Sequence, residues 1–377
     1  MATLLESAQI NKREDLSDLI SIADASATVF STMIPKGAEL GNRKFEWQVD
    51  SYDAASSVSV KEGLDVDVAT GSAFVSNGVS TVDPRAAAAR IGNHGHYWRR
   101  AFRVGPLAAE SNTAGYKSEI SNGLAKKTIE LKRDIEKTLL GTQCAVAGVA
   151  ATTASETRGM GMWTSTIVTS GGTDHGATTF GTNDATYASW TGTPAPFLVP
   201  AGSRTTTATG SLTDTIVQDI LASIFTKTGT PQGFDLIAGT TLRRAFTNLV
   251  VNATTVVNAT MTAVGATNAT GTGSTTVTSA RSSMNSFEQD TQGATFKSTI
   301  DVFQGDFGTV RVHSSNFMPT AFCGYVVPMD TVQLRYGFMP RVKNLTDNGG
   351  GEGRLIEAFA GLVVKNPLNL GRFGATS

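Results

Sequence analysis

The chain has 377 residues, a net charge of −1 and a charged fraction of only 17%. This charge balance argues against a protein whose main function is to bind nucleic acid, because such proteins carry an excess of basic residues. Near-neutral proteins have little self-repulsion and tend to associate, which suits a subunit of an assembly. The length allows two or three domains of about 150 residues each.

The sequence shows no signal for export or for insertion into a membrane. The first ten residues lack the basic cluster and apolar run of a secretory signal, and no stretch approaches the ~20 apolar residues of a membrane span. We therefore expect a cytosolically made protein without membrane contact. Cys144 and Cys323 form no motif and are predicted to be small buried thiols in a reducing compartment.

Residues 1–50 are predicted to form an arm with little core of its own. Acidic and apolar residues recur at helical spacing over residues 13–30, and Pro35 and Gly37 then interrupt them. An extended piece is expected over residues 44–49.

Residues 51–108 are predicted to form an extended hairpin. Apolar residues alternate along residues 57–82 with the period of a half-buried strand, and glycines supply turns. The returning part is basic and aromatic, with Arg85, Arg90, His94, His96, Tyr97, Trp98, Arg99, Arg100, Phe102 and Arg103.

A charged amphipathic helix over residues 122–140 is the most distinctive feature of the chain. Its apolar stripe recurs at steps of three or four and consists of Leu124, Thr128, Leu131, Ile135 and Leu139. Lys132 and Glu136 are predicted to pair on its ionic surface, as i,i+4 neighbours do. Gly141 ends the helix, which at about 30 Å is long enough to cross a domain as a strut.

The region from residue 109 to 211 combines this helix with a Thr- and Gly-rich insertion. A layered α/β domain follows over residues 212–330. Its first element is predicted to be a helix over residues 213–227. Ser211 or Thr213 is the expected cap of this helix, and Gly229 and Pro231 are expected to end it.

A buried strand over residues 234–238 and a short helix over 240–249 come next. No charged residue occurs between residues 245 and 280, and we expect a strand-forming insertion there, near 248–290, whose edges invite pairing. Further strands are predicted at residues 294–303, 309–314, 323–327 and 354–364, and residues 331–377 are the C-terminal returning strands.

Three motifs resemble metal or phosphate sites but have simpler structural explanations. Asp306, Phe307 and Gly308 spell a kinase metal-binding tripeptide, but the other kinase motifs are missing, so a hairpin turn is expected. His94 and His96 have no third metal ligand at suitable spacing. The glycines of residues 349–353 neither follow a clear strand nor open a helix, which favours a loop over a phosphate site. We predict no catalytic residue, no metal and no cofactor.

The basic and aromatic part of the predicted hairpin is expected to contact other subunits. Binding of nucleic acid is the alternative. Arginine is favoured at protein interfaces because its planar group pairs with carboxylates and stacks on aromatic rings. The candidate contact residues are Trp47, Arg85, Arg90, Trp98, Arg99, Arg100 and Arg103.

The order of several short pieces resembles the major capsid proteins of tailed bacteriophages with the Hong Kong 97-type fold. The resemblance covers most of the chain. The pieces are Arg13, Glu14, Asp15 and Leu16; Phe45, Glu46 and Trp47; Leu131 to Glu136 of the strut; Gly305 to Gly308; Asn316 to Pro319; Asp330, Leu334 and Arg335; and residues 354–366.

The resemblance implies an α+β fold with an N-terminal arm, an extended β-hairpin loop, a peripheral domain with a long spine helix, and an axial α/β domain. It implies hexamers and pentamers that tile an icosahedral shell around packaged double-stranded DNA, with non-specific DNA contact on the inner face. Scaffolding, portal and decoration proteins are the implied partners, and the virion, assembled in the bacterial cytoplasm, is the implied location. Gly123 is expected to be a weak point at which the spine helix bends, so Gly123→Ala should stiffen it.

Other functions remain open at this point. An encapsulin-like compartment shell would share the fold and enclose a cargo enzyme. A tail tube or decoration protein would share the neutral surface without needing the strut. An enzyme is the weakest alternative, because no catalytic set of residues stands out.

Overall fold

The structure is a computed structural model. It describes residues 27–49, 74–76, 79–81, 89–110, 118–148, 152–164, 199, 201–205, 212–251, 254–257, 277–280, 288–290, 293–295, 302–347 and 349–374.

The predicted strut is a 22-residue helix, which we call the spine helix, and it spans Glu119–Leu140. Ser118 caps its first turn, because the Ser118 side chain accepts a hydrogen bond from the Ser121 N–H. The helix ends at Gly141, as predicted. Leu131, Leu139 and Leu140 of its apolar stripe are completely buried.

The spine helix packs on one face of a three-stranded antiparallel sheet. The strands, labelled in chain order through the whole chain, are β5 (His96–Val104), β14 (Val332–Leu345) and β15 (Glu352–Val364), and β15 lies in the middle. Alternate residues of β15 point to the helix, and Ile356, Ala358, Ala360 and Leu362 join its core. The 14-residue strand β14 was not predicted as an element.

A second, five-stranded sheet forms the α/β layer predicted to start near residue 212. Its strands are β6 (Gln232–Ala238), β11 (Val302–Gly305), β12 (Gly308–Ser314), β13 (Gly324–Val327) and β16 (Gly371–Phe373), in the order β11-β12-β6-β13-β16. Only the β12–β6 pair is parallel. The strands predicted at residues 234–238, 309–314, 323–327 and 354–364 are therefore confirmed within a residue or two.

Two helices cover one face of this sheet, and they are α5 (Asp214–Thr228) and α6 (Thr240–Val251). Thr213 is the N-cap of α5, while Gly229 ends it with a left-handed φ of 72°. Phe234 and Leu236 face these helices, whereas Ile237, one position further along β6, joins the core of the spine helix. The alternation of β6 thus gives each face of the sheet its own core.

One core joins the two layers at the C-terminal end of the spine helix. The hydroxyl of the buried Tyr325, on β13, donates to the Leu140 carbonyl at 3.2 Å. The short helix α4 (Met160–Trp163) is buried in the same place.

Residues 27–40 form a segment that we call the strap. It contains the short helix α1 (Val29–Met33), whose Phe30 is completely buried against the spine helix. The Glu136 carboxylate accepts the N–H groups of Phe30 at 2.8 Å and Ser31 at 2.7 Å. The predicted surface pairing of Glu136 with Lys132 is therefore wrong, because the strap buries Glu136 completely.

Strand β1 (Lys44–Val49) follows the strap and pairs antiparallel with β4 (Ala89–His94), so the predicted extended piece is confirmed. Of the helix predicted over residues 13–30, residues 13–26 lie outside the described residues. The extended hairpin is described only at β2 (Phe74–Ser76) and β3 (Val79–Thr81), which pair with each other, and at β4 and β5.

The remaining described elements are short. They are α2 (Pro106–Glu110), the hairpin of β7 (Thr254–Val257) and β8 (Val277–Ala280), and the hairpin of β9 (Glu288–Asp290) and β10 (Gly293–Thr295). The uncharged tract therefore contains strands, as predicted.

Neither Cys144 nor Cys323 is part of a disulfide bond. Burial raises the pKa of the Cys323 thiol to about 11, whereas Cys144 is partly exposed, so the prediction of a buried thiol is wrong there. Within the described residues, every helix is too short or too polar to cross a membrane.

Candidate intersubunit surface

Strand β5 divides the predicted contact residues between two faces of the sheet. Trp98 and Arg100 point to the spine helix, and the Trp98 indole N–H donates to the Thr138 hydroxyl at 3.1 Å. Tyr97, Arg99 and Arg103 point to the opposite face and are exposed. This division follows from the two-residue period of a strand.

Arg100 fastens β5 to the spine helix. Its Nε lies 2.6 Å from one carboxylate oxygen of Asp134 and its Nη2 lies 2.7 Å from the other. Such a two-pronged contact fixes both position and angle. The hydrogen bond to Asp134 raises the pKa of Arg100 above its ordinary value. Arg100 therefore has a partner within its own subunit.

The face turned away from the spine helix is organised around a buried carboxylate, Glu357 on β15. Its oxygens accept from the Tyr97 hydroxyl at 2.6 Å and from Arg341 Nε at 2.8 Å, and Lys343 Nζ lies 2.6 Å away. Only 4% of the Glu357 side chain is exposed, whereas Arg341 and Lys343 are about half exposed. The carboxylate therefore holds cationic groups from a neighbouring strand at the surface.

These contacts shift the acid–base behaviour of the cluster. The hydrogen bond from Lys343, followed by that from Tyr97, lowers the pKa of Glu357 to about 2. The same Tyr97–Glu357 bond raises the pKa of the Tyr97 phenol. Glu357 is consequently ionised at neutral pH although it is buried.

We call the exposed part of this surface the open face, and define it by Tyr97, Arg99, Arg103, Phe338, Arg341 and Lys343. The guanidinium of Arg341 lies over the Phe338 ring, 4.1 Å from its centre, and Tyr97 meets the same ring edge-on at 6.1 Å. Cations and aromatic rings in close contact are typical of the centre of a protein interface.

The remaining predicted contact residues are placed differently. Trp47 is half-buried on β1. Its ring stacks on Phe45 with 6.0 Å between ring centres and is tilted against Trp163 with 5.8 Å between ring centres. Trp98 is buried in the core of its own subunit. Arg90 lies on β4 opposite Gln48, and Arg85 falls outside the described residues.

Sequence reasoning missed Phe338, Arg341, Lys343 and Glu357. The contacts join β5 to β15 and β14, which lie more than 200 residues later in the chain. A local sequence pattern does not predict strand pairing at that distance. A usable signal was the alternation of Val332, Leu334, Tyr336 and Phe338, which has the period of a strand.

The two histidines lie at the turn between β4 and β5. Burial lowers the pKa of His96 to about 4, and its ring lies 4.5 Å from the Trp98 ring. Among the described residues, no three His, Cys, Asp or Glu side chains come together as ligands for a metal ion.

Two other motifs are turns between strands. Asp306 and Phe307 connect β11 to β12, which confirms the predicted hairpin turn. Between β14 and β15, Asp347 accepts the N–H groups of Gly349 at 2.9 Å and Gly351 at 3.2 Å. Both glycines have positive φ, and the turn leads into a strand, so it does not open a helix.

A groove of about 540 Å³ runs between the spine helix and residues 316–318. Its walls carry both signs of charge, and Arg133 lies over the Phe317 ring at 5.9 Å from its centre.

Three features characterise the architecture of the described residues. A long spine helix lies across a three-stranded sheet, an α/β layer continues from the same core, and the outer sheet face carries cations and aromatic rings. Solved structures with a similar fold include phage capsids. The chain superposes on the cyanophage A-1(L) capsid asymmetric unit with a TM-score of 0.59 and 11% identity, covering 98% of both chains.

Two more solved structures show a similar fold. The capsid of cyanophage P-SCSP1u gives a TM-score of 0.54 at 10% identity and covers 99% of this chain and 97% of its own. A chain of Mycobacterium phage Bobi gives 0.53 at 10% identity and covers 99% of both chains. No curated protein sequence matches the chain.

The family is established by the sequence itself. Residues 3–377 match the family described as SU10 major capsid protein, and the chain belongs to that family. It is therefore a structural protein of a phage capsid and forms part of the virion, and capsid proteins of this kind assemble with copies of themselves. The resemblance noted in the sequence is confirmed.

Proposed function

We propose that the chain is the subunit of an icosahedral shell that encloses packaged double-stranded DNA, and that it assembles into hexamers and pentamers. The observation that carries this proposal is the family match over residues 3–377. It is supported by a fold that is shared over nearly the full length of phage capsid chains.

The proposed domain plan follows the Hong Kong 97-type fold. Residues 1–50 are the arm, 51–108 the extended loop, 109–211 the peripheral region with the spine helix, 212–330 the axial domain and 331–377 the returning strands. The α/β layer that starts with α5 supports the axial assignment. The spine helix on its antiparallel sheet supports the peripheral one.

The proposed contacts between subunits are Trp47, Arg85, Arg90, Trp98, Arg99, Arg100 and Arg103. Arg99 and Arg103 are the best placed of these, because both are exposed on the open face. Trp98 and Arg100 support them by fixing β5 on the spine helix. Several modest contacts per subunit add up to a durable shell, because each is made at high effective concentration once its neighbours are bound.

The proposed partners are those of shell assembly. Other copies of the chain come first, followed by a separate scaffolding protein, a portal and decoration proteins. Packaged DNA touches the inner face without sequence preference. Assembly takes place in the cytoplasm of the bacterial host, and neither catalysis nor a cofactor is involved.

Sedimentation of purified protein, alone and with a candidate scaffolding protein, tests this function. We expect wild-type protein to form rapidly sedimenting shells. Arg99→Glu with Arg103→Glu should leave folded, slowly sedimenting subunits, whereas Lys132→Glu, an exposed charge reversal on the spine helix, should assemble normally. A wild-type protein that stays monomeric in both conditions would contradict the proposal.

A further inference from the structure

Strand β14 is an edge strand, and the strap covers only the first part of its free edge. Leu334 N–H donates to the Pro35 carbonyl at 3.0 Å, and the N–H groups of Gly37 and Leu40 donate to the carbonyls of Leu334 and Tyr336 at 3.0 and 3.1 Å. This edge therefore already accepts an extended segment by main-chain pairing.

The rest of the edge, residues 339–345, is what we call the open edge. Two register shifts, between Tyr336 and Arg341, separate it from the part that the strap covers. From Arg341 to Leu345 the pairing with β15 is regular again. In the part of the chain that the structure describes, no strand pairs with the other side of residues 341–345.

Apolar side chains are exposed along the open edge. Met339 is 50% exposed, Val342 47% and Leu345 36%. Val342 lies opposite Ile356, which faces the spine helix, whereas Leu345 lies opposite Gly353, an odd number of positions away. Because Val342 and Leu345 point to opposite faces, a partner that covers both must approach at the edge.

The charges next to the open edge point to another copy of the chain. The open face carries Arg99, Arg103, Arg341 and Lys343 against one described carboxylate, Glu357. The whole chain has a net charge of −1, so its remaining residues are together net negative and complementary in charge to this positive region.

We propose that the open edge pairs with an extended segment of a second copy of this chain, which adds a strand to the three-stranded sheet. An exposed, partly apolar strand edge is a template for such pairing. Main-chain hydrogen bonds supply the contact, and burial of Val342 and Leu345 adds to it. This inference rests on the proposed function, since it assigns one surface used in shell assembly.

Alternate amides of an antiparallel strand point to its partner or away from it, so only the amides of residues 341–345 that point away from β15 report on the open edge. Hydrogen exchange of these outward-pointing amides tests the inference on wild-type protein. We expect fast exchange in unassembled subunits and exchange slowed by at least about tenfold in assembled shells. The Leu334 amide, which is bonded to Pro35 in the strap, should be protected in both states and serves as an internal reference.

Two results would overturn the inference. Protection of the outward-pointing amides of residues 341–345 in free subunits would mean that the chain covers its own edge, and their fast exchange in intact shells would mean that nothing pairs there. Wild-type protein that forms no shells would instead contradict the proposed function, so the two failures are distinguishable.

A substitution gives a second, independent readout. Val342→Lys with Leu345→Lys should reduce the yield of shells at least about tenfold while subunits keep their wild-type circular dichroism spectrum. Leu107→Lys on α2 is the matched control, since Leu107 is 87% exposed and lies on a helix outside the sheet. Normal assembly of the double variant would contradict the proposal.

Discussion

At the scale of single residues, the open face depends on a carboxylate that is buried and still ionised. Burial alone would raise the pKa of Glu357, but donors from Lys343, Tyr97 and Arg341 outweigh it. Because Glu357 is held by groups from two neighbouring strands, it fixes the register of all three strands at this point as well as the positions of the surface cations.

The lowered pKa of Glu357 predicts how stability depends on pH. Its pKa falls from the ordinary 4.5 to about 2 in the folded state, so its contribution to stability is present above about 4.5 and is lost as pH falls toward 2. Glu357→Gln should lower the free energy of unfolding by roughly 2 kcal/mol at pH 7 and flatten its pH dependence between these values. Denaturation of unassembled subunits measures both.

The control is Glu352→Gln on the same strand. Glu352 pairs with Arg354, but half of its side chain is exposed, so the cost should stay below about 1 kcal/mol. Equal losses for the two variants, or an unchanged pH profile in Glu357→Gln, would mean that the cluster contributes nothing specific.

Gly123 has a different role from the one expected from the sequence. A Cβ at this position would lie 2.5 Å from Cε2 of Phe102, so the glycine lets the β5 aromatic ring approach the spine helix. The expectation that Gly123→Ala simply stiffens the helix leaves out this contact, which joins residues distant in sequence.

The two effects on Gly123 can be separated by a double-mutant cycle. Gly123→Ala alone should destabilise the subunit, because the Phe102 ring must move. In a Phe102→Ala background the same change should stabilise it by up to about 1 kcal/mol, the helix propensity difference. Thermal unfolding of the four proteins gives the coupling, and purely additive effects would refute the proposed contact.

At the scale of elements, the strap and the spine helix are joined through Glu136. The described part of α1 has no side-chain cap of its own, and the Glu136 carboxylate satisfies two N–H groups of its first turn. Burial of Phe30 and Ile34 completes the contact. This part of the predicted arm is therefore built into the core of its own subunit.

Glu136→Gln should weaken the attachment of the strap. An amide offers one acceptor oxygen where the carboxylate offers two, so one buried N–H loses its partner at a cost of roughly 2 kcal/mol. Glu130→Gln, on the same helix and partly exposed where it pairs with Lys127, should cost about 0.5 kcal/mol or less. Denaturant titration compares the variants, and a Glu136→Gln subunit as stable as Glu130→Gln would contradict the assignment.

Elements with strong local signals could be predicted from the sequence. The spine helix and α5 combine an apolar stripe with a cap and a terminating glycine, and both lie within about three residues of their predicted positions. Strand β14 was missed because its apolar alternation ends at Phe338, close to the register shifts, and the strand then continues past Pro340 with Arg341 and Lys343. Its bulges are set by tertiary pairing, which a local pattern does not contain.

Only the part of the open face that belongs to β5 could be predicted from the sequence. Arg99 and Arg103 belong to a dense basic and aromatic run that is visible in the sequence. Whether a given residue of that run faces solvent or the spine helix depends on the phase of the strand, which also separates Arg99 from Arg100. Nothing in the local sequence distinguishes Glu357 from the other acidic residues, because its role arises only from the pairing of β15 with β5 and β14.

At the scale of the whole molecule, the chain is a nearly neutral protein whose described residues form adjoining cores and present two surfaces suited to association. The open face and the open edge lie on the same three-stranded sheet, and the spine helix stiffens that sheet from behind. A rigid support of this kind keeps contact residues in place before binding, which lowers the entropy lost on assembly.

Electron microscopy of purified protein, expressed alone and with a candidate scaffolding protein, tests the central claim most directly. The account predicts closed shells, or regular rings of five and six subunits, in at least one of these preparations. Uniform monomers or dimers in both preparations would contradict the assignment of this chain as a self-assembling shell subunit.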